Sequence, residues 1–439
     1  MGRYLIAIMC LLCSSSYAQS SPIATKAPTL MASFAANNYS NIRGANYVPS
    51  YAKTSVQYWR DFRPEIIDRE MAYAERLNLN SVRVWLQYWN FRHHPKEFLD
   101  HVAQFVQIAS KHGVRPMFVI FDSCFGISPS GESTEQWVSS PGSDHLGKDF
   151  YPAGESYVRA LMERFGKDPR VLMWDVMNEP ESTWYVATPE GKKVIYDFVR
   201  HFIRYIHSFS PIQPVTMGAN GTHNEEVLRD VDVLSLHSYT TTPEQFRKDI
   251  DKTSADAASV GKPFIVSECA APGWGMDYGW TMQVLREAKV GYYFWQLIVG
   301  SDQFREIGGL VYPDGTVRSV QDVSDVSGRP PNLFVHKPDA EGVPIKHQPP
   351  GHIDWQLLYG QMLQRFQRTP TRKENFSERS TYFRSYLIVK HLGCPIWLEK
   401  HRTVIDQHLG VVDSLKSAGK ERQAFKELDS LIRSIPGPK

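Results

Sequence analysis

The chain is expected to be an α/β protein: a (β/α)₈ barrel of the TIM type with a C-terminal, mainly helical extension. Eight apolar runs of strand character lie at 43–48, 81–86, 114–121, 171–177, 214–218, 233–237, 263–267 and 291–297. Helix-like stretches separate them at 64–77, 154–166, 189–209, 243–259 and 278–289. The clearest helical pattern is Phe98, Val102, Phe105, Val106 and Ala109, whose three-to-four spacing makes one apolar face. Apolar strands alternating with amphipathic helices imply a parallel sheet covered by helices, and eight such repeats over about 250 residues match a closed barrel. A doubly wound open sheet would carry a Gly-rich phosphate turn after its first strand, and Gly44-Ala45-Asn46-Tyr47 is not one.

Outside the repeats the composition changes. Residues 1–18 hold Arg3, an apolar run from Tyr4 to Cys13 and Ser16-Tyr17-Ala18, which reads as a cleaved secretory signal too short to span a bilayer. A lipid anchor at Cys10 or Cys13 is disfavoured, because neither follows a small residue. The expected location is secreted, extracellular or periplasmic, with no membrane association once the signal is removed. Residues 19–40 form an arm and 41–320 the barrel. Residues 321–351, with Pro330, Pro331, Pro338, Pro344, Pro349 and Pro350, read as a Pro-rich linker or a wrap over the barrel. Helical stripes return in 352–439, as in Leu428, Leu431, Ile432 and Ile435. There Trp355, Tyr359 and Phe366 read as helix core before sugar-binding surface.

Charge is nearly balanced, 49 Lys+Arg against 47 Asp+Glu, so no basic field points to nucleic acid. Beyond the signal, Cys124, Cys269 and Cys394 have neither a disulfide framework nor zinc spacing. No cofactor or metal is called for, and a monomer is expected.

The chemistry is concentrated at strand ends. Glu179 in Met-Asn-Glu-Pro and Glu268 in Val-Ser-Glu-Cys each close a strand-like run, where a rigid sheet opens into loop. Taken singly, either glutamate reads equally as a helix cap or an ion-pair partner. Taken together, two carboxyl groups held at one barrel mouth match the pair that cleaves a glycosidic bond, one protonating the leaving oxygen and the other attacking the sugar or activating water.

Trp174-Asp175-Val176-Met177-Asn178-Glu179-Pro180 resembles the fourth-strand motif of the clan A glycoside hydrolases, particularly the cellulase-like family 5. The resemblance covers about residues 41–320, with matches at five strand ends in order. It implies that Glu179 is the acid/base, that Asn178 bonds the sugar's 2-hydroxyl, and that Glu268 is the nucleophile. It also implies that Arg83 pairs with Glu268, that His237 and Tyr239 form the sixth-strand His-x-Tyr, and that Trp295 lies beneath the sugar. Arg83 beside Glu268 would favour an ionised carboxylate, while apolar walls would keep Glu179 protonated. His237 and Tyr239, two apart on extended backbone, are expected to face the same side and to bond the nucleophile and substrate hydroxyls.

The chain also departs from that pattern. Where the family commonly ends its third strand with Asp-x-His, this sequence has Asp122-Ser123-Cys124. Asp122 remains a candidate for sugar binding, and the insert 126–151, with Trp137 and His145, is expected to fold over the cleft and replace the lost contact. Trp85, Tyr88, Trp89, Phe91, Trp184, Tyr185, Trp274, Tyr278 and Trp280 follow strands as candidate stacking residues or as helix-packing core. The implied activity is a retaining β-glycosidase on a carbohydrate substrate, a β-1,4-glucan or β-mannan. The alternatives are an inactive carbohydrate-binding barrel and a metallohydrolase using Asp122, His237 and Glu268, the latter without supporting His-x-His spacing.

Overall fold

A computed structural model describes residues 39–124, 129–135, 137–142, 146–182, 189–221, 224–337, 342–347 and 395–434. The expectations for the signal, most of the arm, His145, Trp184, Tyr185, Trp355, Tyr359, Phe366, Cys394 and Ile435 fall outside these residues.

Eight strands form the sheet: β1 Arg43–Asn46, β2 Ser81–Trp85, β3 Arg115–Asp122, β4 Met173–Asn178, β5 Val215–Gly218, β6 Leu234–His237, β7 Phe264–Glu268 and β8 Gly291–Phe294. Their order is β5-β4-β3-β2-β1-β8-β7-β6, and every paired neighbour is parallel. Hydrogen bonds from Asp232 N to Val215 O (2.8 Å) and from His237 N to Ala219 O (2.9 Å) join the two ends of that order and close the barrel. The strands are almost wholly buried, which explains continuous apolar runs in place of two-residue alternation. β1 and β8 end sooner than the apolar runs suggest, because the following residues leave the ladder to build the mouth.

Helices Pro64–Arg76, Pro95–Lys111, Pro189–Ser208 and Pro243–Ser259 each begin on proline, whose fixed φ and missing N–H suit a first turn. Phe98, Val102, Phe105, Val106 and Ala109 are all buried, as their spacing predicts. Two short helices, Ser55–Arg60 and Tyr88–His93, lack an apolar stripe long enough to read in advance. At the opposite end from the mouth, Tyr39, Ile42, Met117, Met173, Ile265 and Tyr293 form a separate buried cluster that plugs the barrel.

Within the stretch expected as a linker, Val320–Ser327 is helical, capped by Ser319 and ended by Gly328 at φ 67°. The chain then returns to the barrel side: Lys337 N bonds Val317 O and Lys346 N bonds Glu306 O, at 2.8 and 2.7 Å. Pro395–Ser417 and Glu421–Ser434 form a helical pair that buries Leu409, Val412, Phe425, Leu428 and Leu431. Among the described residues no helix is long and apolar enough to cross a membrane.

Candidate active site

Arg83, fully buried on β2, organises the floor of the mouth. Its Nε donates to Asp175 Oδ2 (2.9 Å), Nη1 to Asn46 Oδ1 (3.1 Å) and Glu268 Oε1 (2.5 Å), and Nη2 to Asn178 Oδ1 (2.7 Å). A buried guanidinium is tolerable only when its donors are met in this way. Asp175 also accepts from Gly218 N at 2.9 Å. Gly218 must be glycine, since a Cβ there would lie 2.7 Å from Arg83 Nη2 and 3.0 Å from His237 Nε2.

Glu268 ends β7 and is held at both oxygens, Oε1 by Arg83 and Oε2 by the Tyr239 hydroxyl at 2.7 Å. Glu179 follows β4 with φ 41°, a left-handed conformation that is uncommon outside glycine and marks a constrained position. Its Oε2 accepts from the Ser182 hydroxyl (2.9 Å) and the Cys124 thiol (3.6 Å), and its Oε1 meets His237 Nδ1 at 2.8 Å. Burial pushes the Glu179 carboxyl above the usual glutamate range; the bonds from Ser182 and Cys124 and the more distant charge of Arg83 offset this only in part. Burial pushes His237 down to about 4, so its ring is neutral at neutral pH.

The ladder is irregular beside both β4 and β6. Register shifts occur between Asp175 and Asn178 against β5, and between Leu236 and His237 against β7. Such irregularities re-aim side chains next to functional sites. Here His237 turns toward Glu179, with Glu268 Oε2 at 3.6 Å, and of the expected His237 and Tyr239 pair it is Tyr239 that bonds Glu268.

Glu179, Glu268, Asn178, His237, Tyr239 and Trp295 line one cavity of about 550 Å³. Arg83 and Asp122 do not face it; they act behind the wall. Asp122 Oδ2 accepts from Trp137 Nε1 (2.9 Å), and Oδ1 accepts from Cys124 N (2.9 Å) and Asn178 Nδ2 (3.3 Å). Burial pushes its carboxyl up to about 7. Trp137, from the insert, lines the cavity as expected, and Cys124 reaches it from the position where the family pattern places histidine.

Of the aromatics flagged by position, Trp85 and Trp274 also line the cavity. Tyr88 and Phe91 pack on Tyr157, Trp280 on Phe246, and the buried Tyr278 hydroxyl donates to Trp295 O at 2.7 Å. Trp89 stacks on His93. Cavity residues missed in the sequence include Ser182, Asn220, Ser238, Asp249, Gln303 and Phe304. Ser182 had a weak signal, three residues after Glu179. The others sit on loops or a helix whose approach to the mouth has no local pattern.

Glu179, His237 and Glu268 offer atoms within 4.8 Å of one another, a spacing from which a cation is conceivable. Asp122, the earlier third candidate, is committed to Trp137, Asn178 and Cys124 N. The Arg83 guanidinium already bonded to Glu268 opposes a further positive charge at this point.

Residues 26–301 match the cellulase family, glycosyl hydrolase family 5. No curated protein matches the chain by sequence. Among solved structures, the chain is similar to the exo-β-1,4-mannosidase Op5Man5 from Opitutaceae bacterium strain TAV5, at 17% identity, 73% coverage of this chain and 67% of that one, with TM-score 0.51. It is also similar to GH5_18 from Streptomyces cattleya in complex with GlcNAc, at 15% identity, 68% and 82% coverage and TM-score 0.52. A variant of that protein in complex with Manb1-4GlcNAc gives 14% identity, 63% and 78% coverage and TM-score 0.50. At these identities the likeness is one of fold. The family match over most of the chain, and two strand-end glutamates facing one cavity, make this protein a member of glycosyl hydrolase family 5 and a glycoside hydrolase.

Proposed function

We propose that the protein is a retaining β-glycosidase in which Glu268 is the nucleophile and Glu179 the acid/base. The observation that carries this reading is the spacing of the pair: carboxylate oxygens of the two residues lie within 4.8 Å of each other, nearer the about 5–5.5 Å of retaining pairs than the wider gap of inverting ones. Inverting pairs stand about 6.5–9.5 Å apart.

Glu268, ion-paired with Arg83, attacks the anomeric carbon as Glu179 gives its proton to the departing oxygen. The C–O bond to the leaving sugar breaks and an ester to Glu268 forms. Glu179, now ionised, takes a proton from water, whose oxygen attacks the same carbon and releases Glu268. Tyr239 holds the nucleophile in place, Asn178 presents its amide to the cavity at the 2-hydroxyl position, and Trp295 supplies a platform for one sugar face.

A β-1,4-linked glucan or mannan is the proposed substrate. The cellulase family supports the first, and the similarity in fold to an exo-β-1,4-mannosidase and to a protein bound to Manb1-4GlcNAc supports the second. Export after loss of residues 1–18 belongs to the same reading and rests on the sequence alone.

The test is product release from soluble β-glucan, mannan, xylan and aryl β-glycosides by wild type and Glu268→Ala, in the presence of chelator, with the anomer of the first product read by NMR. Release with retained configuration, lost in the variant, is expected. A first product of inverted configuration would overturn the double displacement, and activity abolished by chelator would revive a metal mechanism.

A further inference from the structure

The cavity is asymmetric about the scissile position. Glu179 must stand at the leaving oxygen, so the leaving sugar lies on its side of the mouth, toward the β4–β6 loops. The sugar attached to Glu268 during reaction lies on the opposite side, over Trp295 after β8. The lining that follows β4, β5 and β6 includes the short polar side chains of Ser182, Asn220, Ser238 and Asp249.

The other side is closed by four aromatic rings that touch in a cycle. Trp85 meets Trp295 at 5.7 Å between centroids and Trp137 at 5.6 Å. Phe304 completes the cycle, 5.9 Å from Trp137 and 5.0 Å from Trp295. All four contacts are edge-to-face, with interplanar angles of 65° to 89°, and all four rings line the cavity while remaining more than nine-tenths buried. Among the described residues, these rings in edge contact leave no gap between them through which a polysaccharide could continue.

This end is braced from outside. Gln303 Oε1 accepts from Trp137 N at 3.1 Å, tying the insert to the loop after β8. The insert is pinned to β3 by paired bonds between Asp122 and Ser140, and to the β2 loop by Gln87 Nε2 donating to Ser139 O at 3.1 Å. Asp302 caps the turn that carries Phe304, accepting from its N–H at 2.9 Å.

We propose that the enzyme is exo-acting, removing one sugar at a time from the non-reducing end. This rests on the glycosidase reading above and adds the mode of attack. In a β-1,4-linked chain the sugar bound over Trp295 would continue through its 4-hydroxyl into the aromatic wall. Only a terminal sugar, with that hydroxyl free, fits between the wall and the two glutamates. The insert that replaces the third-strand histidine thus becomes the element that sets chain-end specificity, through Trp137.

The experiment uses β-1,4-manno- and gluco-oligosaccharides of three to six sugars, labelled at the reducing end, with products read at low conversion by mass spectrometry. The expected result is free monosaccharide and a labelled product shorter by one sugar, for every starting length cleaved. Labelled mono- or disaccharide as the first product from the longer chains would overturn the inference while leaving the glycosidase intact. No release from these or from aryl glycosides would overturn both. Phe304→Ala, which opens the wall without touching either glutamate, should raise internal cleavage about tenfold relative to end cleavage. Trp137→Phe, which keeps a ring at the wall, should leave the product pattern unchanged; an unaltered pattern in Phe304→Ala would also count against the wall.

Discussion

Glu179 and Glu268 are chemically identical and share one cavity, yet their surroundings differ at every contact. Glu268 meets a guanidinium, a fixed positive charge, and a phenol hydroxyl. Glu179 meets a hydroxyl, a thiol and a neutral imidazole in a buried pocket, and its proton is held above the usual range. The difference teaches that two identical carboxyls can be set apart by their neighbours alone: in the proposed mechanism the one beside a fixed positive charge attacks and the one buried among neutral donors gives the proton.

The sharpest way to break this comparison is to neutralise each carboxyl in turn. Glu268→Gln should lower kcat on the order of 10⁴-fold or more on every substrate, because the proposed double displacement has no covalent step without that carboxylate. Glu179→Gln should lower kcat by about 10²- to 10⁴-fold on polysaccharide but far less for formation of the glycosyl-enzyme from a dinitrophenyl glycoside, whose leaving group needs no proton. Equal losses on both substrates would mean that Glu179 is not the acid.

Removing the charge that separates the two roles comes next. Arg83→Met leaves Glu268 and Asp175 buried without their cation and should cost about 3–5 kcal/mol of stability in chemical denaturation. An unchanged midpoint would show that the pair is not structurally coupled. Tyr239→Phe removes one neutral donor from Glu268 and should reduce kcat by about 10- to 100-fold, the equivalent of a hydrogen bond to a charged group. A loss confined to KM would place Tyr239 on substrate binding alone.

The smallest effect sharpens the acid side. The proposed mechanism requires protonated Glu179, so the alkaline limb of kcat/KM is expected above the ordinary glutamate range and activity falls as pH rises through it. Ser182→Ala removes a donor that favours the ionised form, which raises the Glu179 pKa and moves that limb to higher pH by a few tenths of a unit. A shift to lower pH would contradict the hydrogen-bond direction assigned to Ser182.

Much of this site is legible along the chain because a closed parallel barrel brings the ends of all its strands to one face. Glu179, Glu268, Asn178, His237, Tyr239 and Trp295 stand at such ends, and counting strands was enough to bring them together. Asp122 and Arg83 stand there too, but their side chains turn to partners behind the cavity, a choice that strand position does not reveal. The bond from His237 to Glu179 was not foreseen, because a register shift after Leu236 lies outside what two-residue alternation describes. Phe304 and Gln303 carried no signal at all.

The sequence by itself determined the barrel, the order of its strands and the two carboxyls at its mouth, since periodicity and strand-end placement are properties of local chain geometry. Only the tertiary structure decided which groups partner each carboxyl and that Trp85, Trp137, Trp295 and Phe304 meet in a closed cycle. Those contacts join residues as far apart as Trp85 and Trp295, and their existence depends on loop paths and packing that no local pattern encodes.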